Sequence, residues 1–324
     1  METQPVMRTS KSRLLPQRLN AIIGWGMLSG ILYASGFLTF AFLIPFQYEF
    51  SKEGKKEGLL SLLVSFVMIA GETALRFEST QAIEIFLLMQ TMLPPLLLLA
   101  ACALINSVSA DIWKKLILVT VVLSAFFGFT LQMRLGTQEV QMSLASLLAQ
   151  MLSTAGVQGI DSLVLLQDYV TPTIELIMKS IGVMLWIIIS GSWWIGDALG
   201  TRKKNSQEKE KRASGYNVPQ WLLWPSIIAW ILLLFVLYGE KSGIPALIAW
   251  NSALLAAFWY ALQGFSAISH FLTAKSKRNF MGIIVLLLAI LLLLDSRAGL
   301  VIAILAPLLG VSQVWLQYRF RKGA

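Results

Sequence analysis

Glu175 and Lys179 stand four residues apart in TPTIELIMKSIGVMLW, an acid before a base at the spacing that brings both onto one helix face. The same order recurs at Glu72 and Arg76. With a rise of about 1.5 Å per residue, Lys179 lies roughly 10 Å inside its apolar run, where a lone ammonium is costly. Two roles fit the pair: a solute contact in a wet cavity, or an interfacial ion pair whose lysine snorkels to the polar boundary. Gln90 and Thr91 form a second candidate, because they precede Pro94 and Pro95 in LMQTMLPPLLLLA. Neither proline has an amide hydrogen, so the carbonyls of Gln90 and Thr91 lose their helical donors and the helix is expected to kink. Those carbonyls and side chains either coordinate a solute or cation, or the kink only shapes packing.

A third set lies in WYALQGFSAISHFL, which contains His270, the only histidine of the chain. At about 100° per residue, Gln263, Ser266, Ala267 and His270 share one small and polar face of an otherwise apolar helix. His270 adjoins AKSKR at an interface, which suits a solvated or helix-end histidine better than a proton relay. Asn251 and Gln263 lie deeper in the same run. The stripe is expected to pack against another helix, with Gln263 bonding across it.

The remaining inventory excludes much. One histidine and one cysteine, Cys102, cannot assemble a His/Cys metal cluster or an intrachain disulfide. The sequence has no HExxH, P-loop or GxSxG motif, and no evident carboxylate dyad. No catalytic residue, metal or cofactor is therefore expected, and no basic aromatic surface suits nucleic acid. An ATP-driven activity would require a separate ATPase module.

These residues must be held by membrane helices. Hydrophobic residues make up 56% of 324 positions and charged residues 13%, with a mean hydropathy of +0.71. Apolar runs at 19–46, 58–75, 82–106, 113–132, 172–197, 220–239, 244–272, 279–294 and 298–317 are each a candidate crossing. The fold class is all-α, a polytopic transmembrane bundle of about eight to ten segments. Residues 1–18 read as a basic cytoplasmic tail on an uncleaved first segment, and 19–324 as a single integral membrane domain.

Orientation follows the basic loops. TRKKNSQEKEKR, within the loop 198–219, carries six basic residues against two acidic ones and is expected in the cytoplasm, flanked by Trp193, Trp194, Trp221 and Trp224 as an interfacial belt. Alternation then puts the C-terminal RFRK inside and the connection 133–171 outside. Upstream, one long helix over 19–46 would force either the N-terminal tail or SKEGKKEG to the outer side. Two short passes turning near Gly30 to Gly36 would keep both basic stretches together, and the single tilted helix is the alternative. Gly26 and Gly30 form a GxxxG, a hint of close helix packing.

The connection 133–171 is itself amphipathic, with Val140, Leu144, Leu147, Leu148 and Met151 at helical spacing. It is expected to lie on the outer membrane surface or to cap the bundle; a lid over a solute is the functional alternative.

The segment NSALLAAFWYALQGFSAISHFL, two further apolar runs and GVSQVWLQYRFRKG resemble the YybS-like family of bacterial polytopic membrane proteins of unknown function. FLIPFQYEFSKEGKKEGLLSLLVSF and the stretch before TPTIELIMKSIGVMLW resemble its layout as well. The N-terminal layout is also similar to substrate-capture subunits of energy-coupling vitamin transporters, a fold-level analogy. The expected function is binding or moving a small solute in the bacterial cytoplasmic membrane, at a site between the N-terminal broken segment, the Pro94–Pro95 kink and the Glu175/Lys179 face. Gln90, Thr91, Glu175, Lys179, Asn251 and Gln263 are its candidate contacts. The alternative is a structural or regulatory scaffold whose small and polar stripes bind a membrane-protein partner. The lipid bilayer surrounds either.

Overall fold

The computed structural model describes residues 14–36, 38–76, 82–135, 137–154, 162–200, 217–239, 243–276 and 296–316. They form helices α1 (Leu14–Ala34), α2 (Ile44–Lys52), α3 (Lys55–Arg76), α4 (Ala82–Ser107), α5 (Ile112–Leu135), α6 (Gln138–Thr154), α7 (Ser162–Leu165), α8 (Thr171–Gly200), α9 (Leu223–Tyr238), α10 (Ile244–Ser276) and α11 (Ser296–Leu316). Among the described residues there is no strand. Five stretches are long and apolar enough to cross a membrane, Lys55–Leu75, Ile112–Leu135, Leu166–Gly200, Gln220–Tyr238 and Ile244–Ile268, and three shorter apolar helices accompany them, Leu19–Ala34, Met92–Ser107 and Ile304–Trp315. This is an all-helical polytopic membrane protein. The crossing expected at 279–294 lies outside the described residues.

The helices gather into two compact units, residues 1–120 with 186–204, and 121–185 with 205–324. In the first, α1 ends at Ala34 and the chain turns at Gly36, whose φ of 69° favours glycine. A 3₁₀ turn at Thr39–Ala41 leads to α2, begun by a proline in its first turn. The chain then doubles back along α1. Ser29 donates to the Phe42 carbonyl, and Trp25 packs on Tyr48 at 4.7 Å between ring centroids. A second turn at Gly54, with φ 114°, starts α3.

α3 runs parallel to α1. A Cβ at Gly26 would meet Val64 and the Ser61 carbonyl within 2.8 Å, and one at Gly30 would meet Met68 Cβ at 2.5 Å. Both glycines are matched to positions advancing in the same direction on α3, so the two helices share a register. Ser65 Oγ adds a hydrogen bond to the Gly26 carbonyl at 3.2 Å. The GxxxG thus closes an internal contact, where absent side chains let two backbones approach. This register sets the first turn of α3 level with the start of apolar α1, so the N-terminal end of α1 and the SKEGKKEG turn stand at the same end of the pair. The single 19–46 helix does not form. The break falls at Gly36, and the return segment is longer than expected, running to Gly54 because Gln47 and Glu49 are buried parts of α2 and not of a polar loop.

Phe42, Leu43, Phe46, Ile69, Leu99 and Cys102 fill the core of this unit. A polar seam crosses it. Gln47 and Asn106 exchange amide hydrogen bonds at 3.1 and 2.7 Å, and Ser51 donates to Asp197 at 2.8 Å. Gly196 and Gly200 bring the end of α8 directly onto Gln47 and Ser51.

In the second unit, α10 and α11 run antiparallel and nearly touch. A Cβ at Gly310 would fall on the Tyr260 carbonyl, and one at Gly264 on the Ala306 carbonyl. The expected stripe is buried here, with Gln263 1%, Ser266 0% and Ala267 5% exposed; the His270 side chain lies outside the described residues.

The connection 133–171 is mostly helical. α6 packs through Met142, Leu144, Ala145, Ala149 and Leu152 onto Leu165, Leu166, Val170 and Ile174. Of the five residues expected on its apolar face, Val140, Leu147, Leu148 and Met151 are not covered by protein, while Leu144 packs beside Ala145 and Ala149. A π-helical turn at Leu166–Val170 joins α7 to α8. Pro172 withholds the amide that the Asp168 carbonyl would use, and the crossing expected from 172 accordingly begins at Leu166.

Two outcomes test this arrangement. Asn20→Cys and Lys56→Cys, each in a Cys102→Ala background, are expected to react with an impermeant maleimide from the same side of sealed vesicles; labelling from opposite sides would refute the doubled-back segment. Gly30→Leu is expected to lower stability by about 1–3 kcal/mol through overpacking against Met68, measured as a fall in the detergent-solubilised melting midpoint.

Candidate functional site

A cavity of about 320 Å³ opens in the second unit among α5, α8 and α10. Its walls follow from helical periodicity. From α5 come Val121, Ser124, Ala125, Gly128, Phe129 and Gln132, and from α10 come Ile244, Leu247, Ile248, Asn251, Ser252 and Leu255. Each set steps by 3, 4, 7, 8 and 11 from its first member, so each is one continuous helix face. Met178 and Gly182, one turn apart, supply the contribution of α8.

The lining is mainly apolar, and among its described residues none is ionisable. Its polar groups are unequally committed. Asn251 Nδ2 donates to the Met178 carbonyl at 2.8 Å and to the Leu247 carbonyl at 2.8 Å, while Oδ1 accepts from the Gly182 amide at 2.7 Å. Gly182 and Met178 are the two ends of one helical hydrogen-bonding step, so the Asn251 amide brackets the backbone of α8. Both of its hydrogens are used, and one lone pair on Oδ1 remains. Ser124 Oγ is buried with no hydrogen-bond partner. A Cβ added at Gly182 would lie 3.2 Å from Asn251 Oδ1 and 3.3 Å from Ser124 Oγ. Gly182 therefore brings two oxygens to one polar point on an oily wall. That point can accept a hydrogen bond through Oδ1 and donate or accept one through Oγ.

Residues 22–306 match a family model described as a predicted membrane protein, DUF2232. The chain belongs to that family. The description gives a membrane setting and no activity, and neither a curated protein nor a solved structure matches.

In this DUF2232 chain the residues expected to form one site are distributed differently. Of the four candidates whose side chains are described, Asn251 lines the cavity and Glu175, Lys179 and Gln263 do not. Glu175 and Lys179 pair as expected, at 2.8 Å, and Lys179 Nζ stands 5.5 Å from the centre of the Trp250 ring. The pair is partly solvent-exposed and is not part of the lining. Such a pair contributes about 0.2–0.5 kcal/mol. Gln263 accepts from the Val218 amide at 3.0 Å and ties the chain before α9 to α10. Gln90 and Thr91 belong to α4, which remains helical through Pro94 and Pro95; their side chains lie outside the described residues, as does that of Arg76. Among the described residues, no three His, Cys, Asp or Glu side chains gather as metal ligands would.

Sequence reasoning passed over Ser124 and Gly182. The available signal was the small pair Ser124 and Gly128, one turn apart in VVLSAFFGF, and the isolated glycine in KSIGVML. Replacing Asn251 by Leu is expected to cost about 1–2 kcal/mol through loss of the inter-helix hydrogen bonds, read as a lower melting midpoint, whereas Lys179→Met should change it by less than about 0.5 kcal/mol.

Proposed function

We propose that this DUF2232 protein binds a small, uncharged and largely apolar solute, with one hydrogen-bonding group, in the cavity of its second unit. The observation carrying this reading is the polar point at Gly182, where Ser124 Oγ and Asn251 Oδ1 converge on a mainly apolar lining whose other polar residues are Gln132 and Ser252. Size supports occupancy. A sealed void of about 320 Å³ would cost ~8 kcal/mol at about 24 cal/mol per Å³, comparable with the whole stability of many domains. This cavity is partly open, so an apolar molecule can enter and remove that cost.

On this reading the protein is a solute-binding component of a bacterial cytoplasmic membrane, with the 198–219 loop and the C-terminus in the cytoplasm, and it performs no covalent chemistry. The similarity of the N-terminal layout to substrate-capture subunits, a fold-level analogy, favours the same role, and movement of the solute would then draw on a separate ATPase module. Lys179 and Glu175 orient α8 near an interface and do not touch the solute. The scaffold alternative loses its proposed contact faces, because Gly26, Gly30 and Ser266 are engaged or buried within the chain.

The test is native mass spectrometry of gently extracted protein. Gly128 lines the cavity, and a Cβ there would meet nothing within 4 Å, so Gly128→Leu fills the space without an initial clash. Wild type and Lys179→Met are expected to retain the same bound small molecule and Gly128→Leu to lose it. Retention by Gly128→Leu, or loss from Lys179→Met, would move the site elsewhere.

A further inference from the structure

Glu49 is a glutamate with no place in the cavity just described. It sits on the buried side of nine-residue α2, among Pro45, Phe46, Gln47 and Phe50, and is 0% exposed. Both carboxyl oxygens are buried without a hydrogen-bond partner among the described residues. A carboxylate enclosed in this way demands a cation or several donors, and failing those it takes up a proton.

Among the described residues, the charges around it do not supply a dedicated counterion. On its own element, Lys52 is engaged by Glu53 at 3.1 Å and lies 5.4 Å from the Tyr48 ring centre. α3 brings Glu57, a further negative charge, while Lys55 donates to the Ser107 carbonyl at 3.0 Å. α4 brings the neutral Asn106, already bonded to Gln47, and the thiol of Cys102. The end of α8 brings Asp197, which accepts from Ser51. Among the described side chains of α1, the titratable group is Tyr33, packed edge-on against Phe42.

We infer that Glu49 is a proton-binding site in the first unit, carried as the neutral acid at pH 7. Its ligand is a proton and not a metal cation, since the surrounding polar groups are spent on one another. Enclosure without donors favours the uncharged form, so stability is expected to fall where rising pH ionises the group. The site gives the protein a group whose charge changes without any partner side chain having to move.

Infrared difference spectroscopy of the full-length protein tests this directly. At pH 7 in sodium-free buffer, wild type minus Glu49→Gln is expected to show a protonated-carboxyl C=O band that shifts in D₂O and disappears as pH is raised. Absence of the band at pH 7 would show an ionised Glu49 and overturn the proposal. So would its loss on replacing choline chloride with sodium chloride at the same concentration, which would identify a bound cation. Glu49→Gln mimics the neutral acid, and its melting midpoint should match wild type in acid and exceed it increasingly as pH rises. Parallel midpoints across that range would also refute the assignment. If Glu49→Gln fails to fold, the pH titration of the wild-type band decides alone.

Discussion

Close approach of helix backbones at glycine is the constraint on which this structure depends. Lipid tails solvate leucine and isoleucine about as well as a neighbouring helix does, so apolar side chains alone give helices little reason to associate. Removing side chains at Gly26 and Gly30 lets α3 lie against α1, and Gly264 and Gly310 do the same for α10 and α11. In each case the partner atoms include backbone carbonyls or the first carbon of a side chain. Dispersion contacts at such short range, summed over a helix face, replace the solvent-driven attraction of a water-soluble core.

Side-chain amides complete what the glycines begin. Gln47 with Asn106, Gln263 with Val218 and Asn251 with Gly182 each bring a donor and an acceptor into the interior without a net charge. An amide avoids the heavy desolvation cost of an ion, yet leaves a clear penalty for misalignment. Glu49 stands apart from these because its side chain is a potential ion with no such reciprocal partner.

The helical membrane class was legible because apolar runs report the solvent around a segment directly. The Glu175–Lys179 bond was legible for a similar reason, since both members lie on one helix and their spacing fixes their separation. The cavity was not, because its walls come from α5, α8 and α10, and the sequence does not state which faces of separate helices meet. The protein-facing side of α6 was hidden for the same reason: hydrophobicity marked Leu147 and Met151, which stay uncovered by protein, while the buried contact centres on the small Ala145. Likewise, the break near Gly36 left a signal, whereas the burial of Gln47 and Glu49 beyond it depends on partners distant in the chain.

The bracketing of α8 by Asn251 acts as a registration key. Sliding α10 along α8 by one turn, about 5.4 Å, would move the amide off Gly182 to a position that carries a large side chain, Met178 or Trp186. Glycine at 182 is the gap that admits the key, and the amide fits in one orientation because it must meet an N–H and a C=O together. Ser124 and Asn251 face the same point only in that setting. The molecule therefore encodes the alignment of α10 on α8 in a single primary amide.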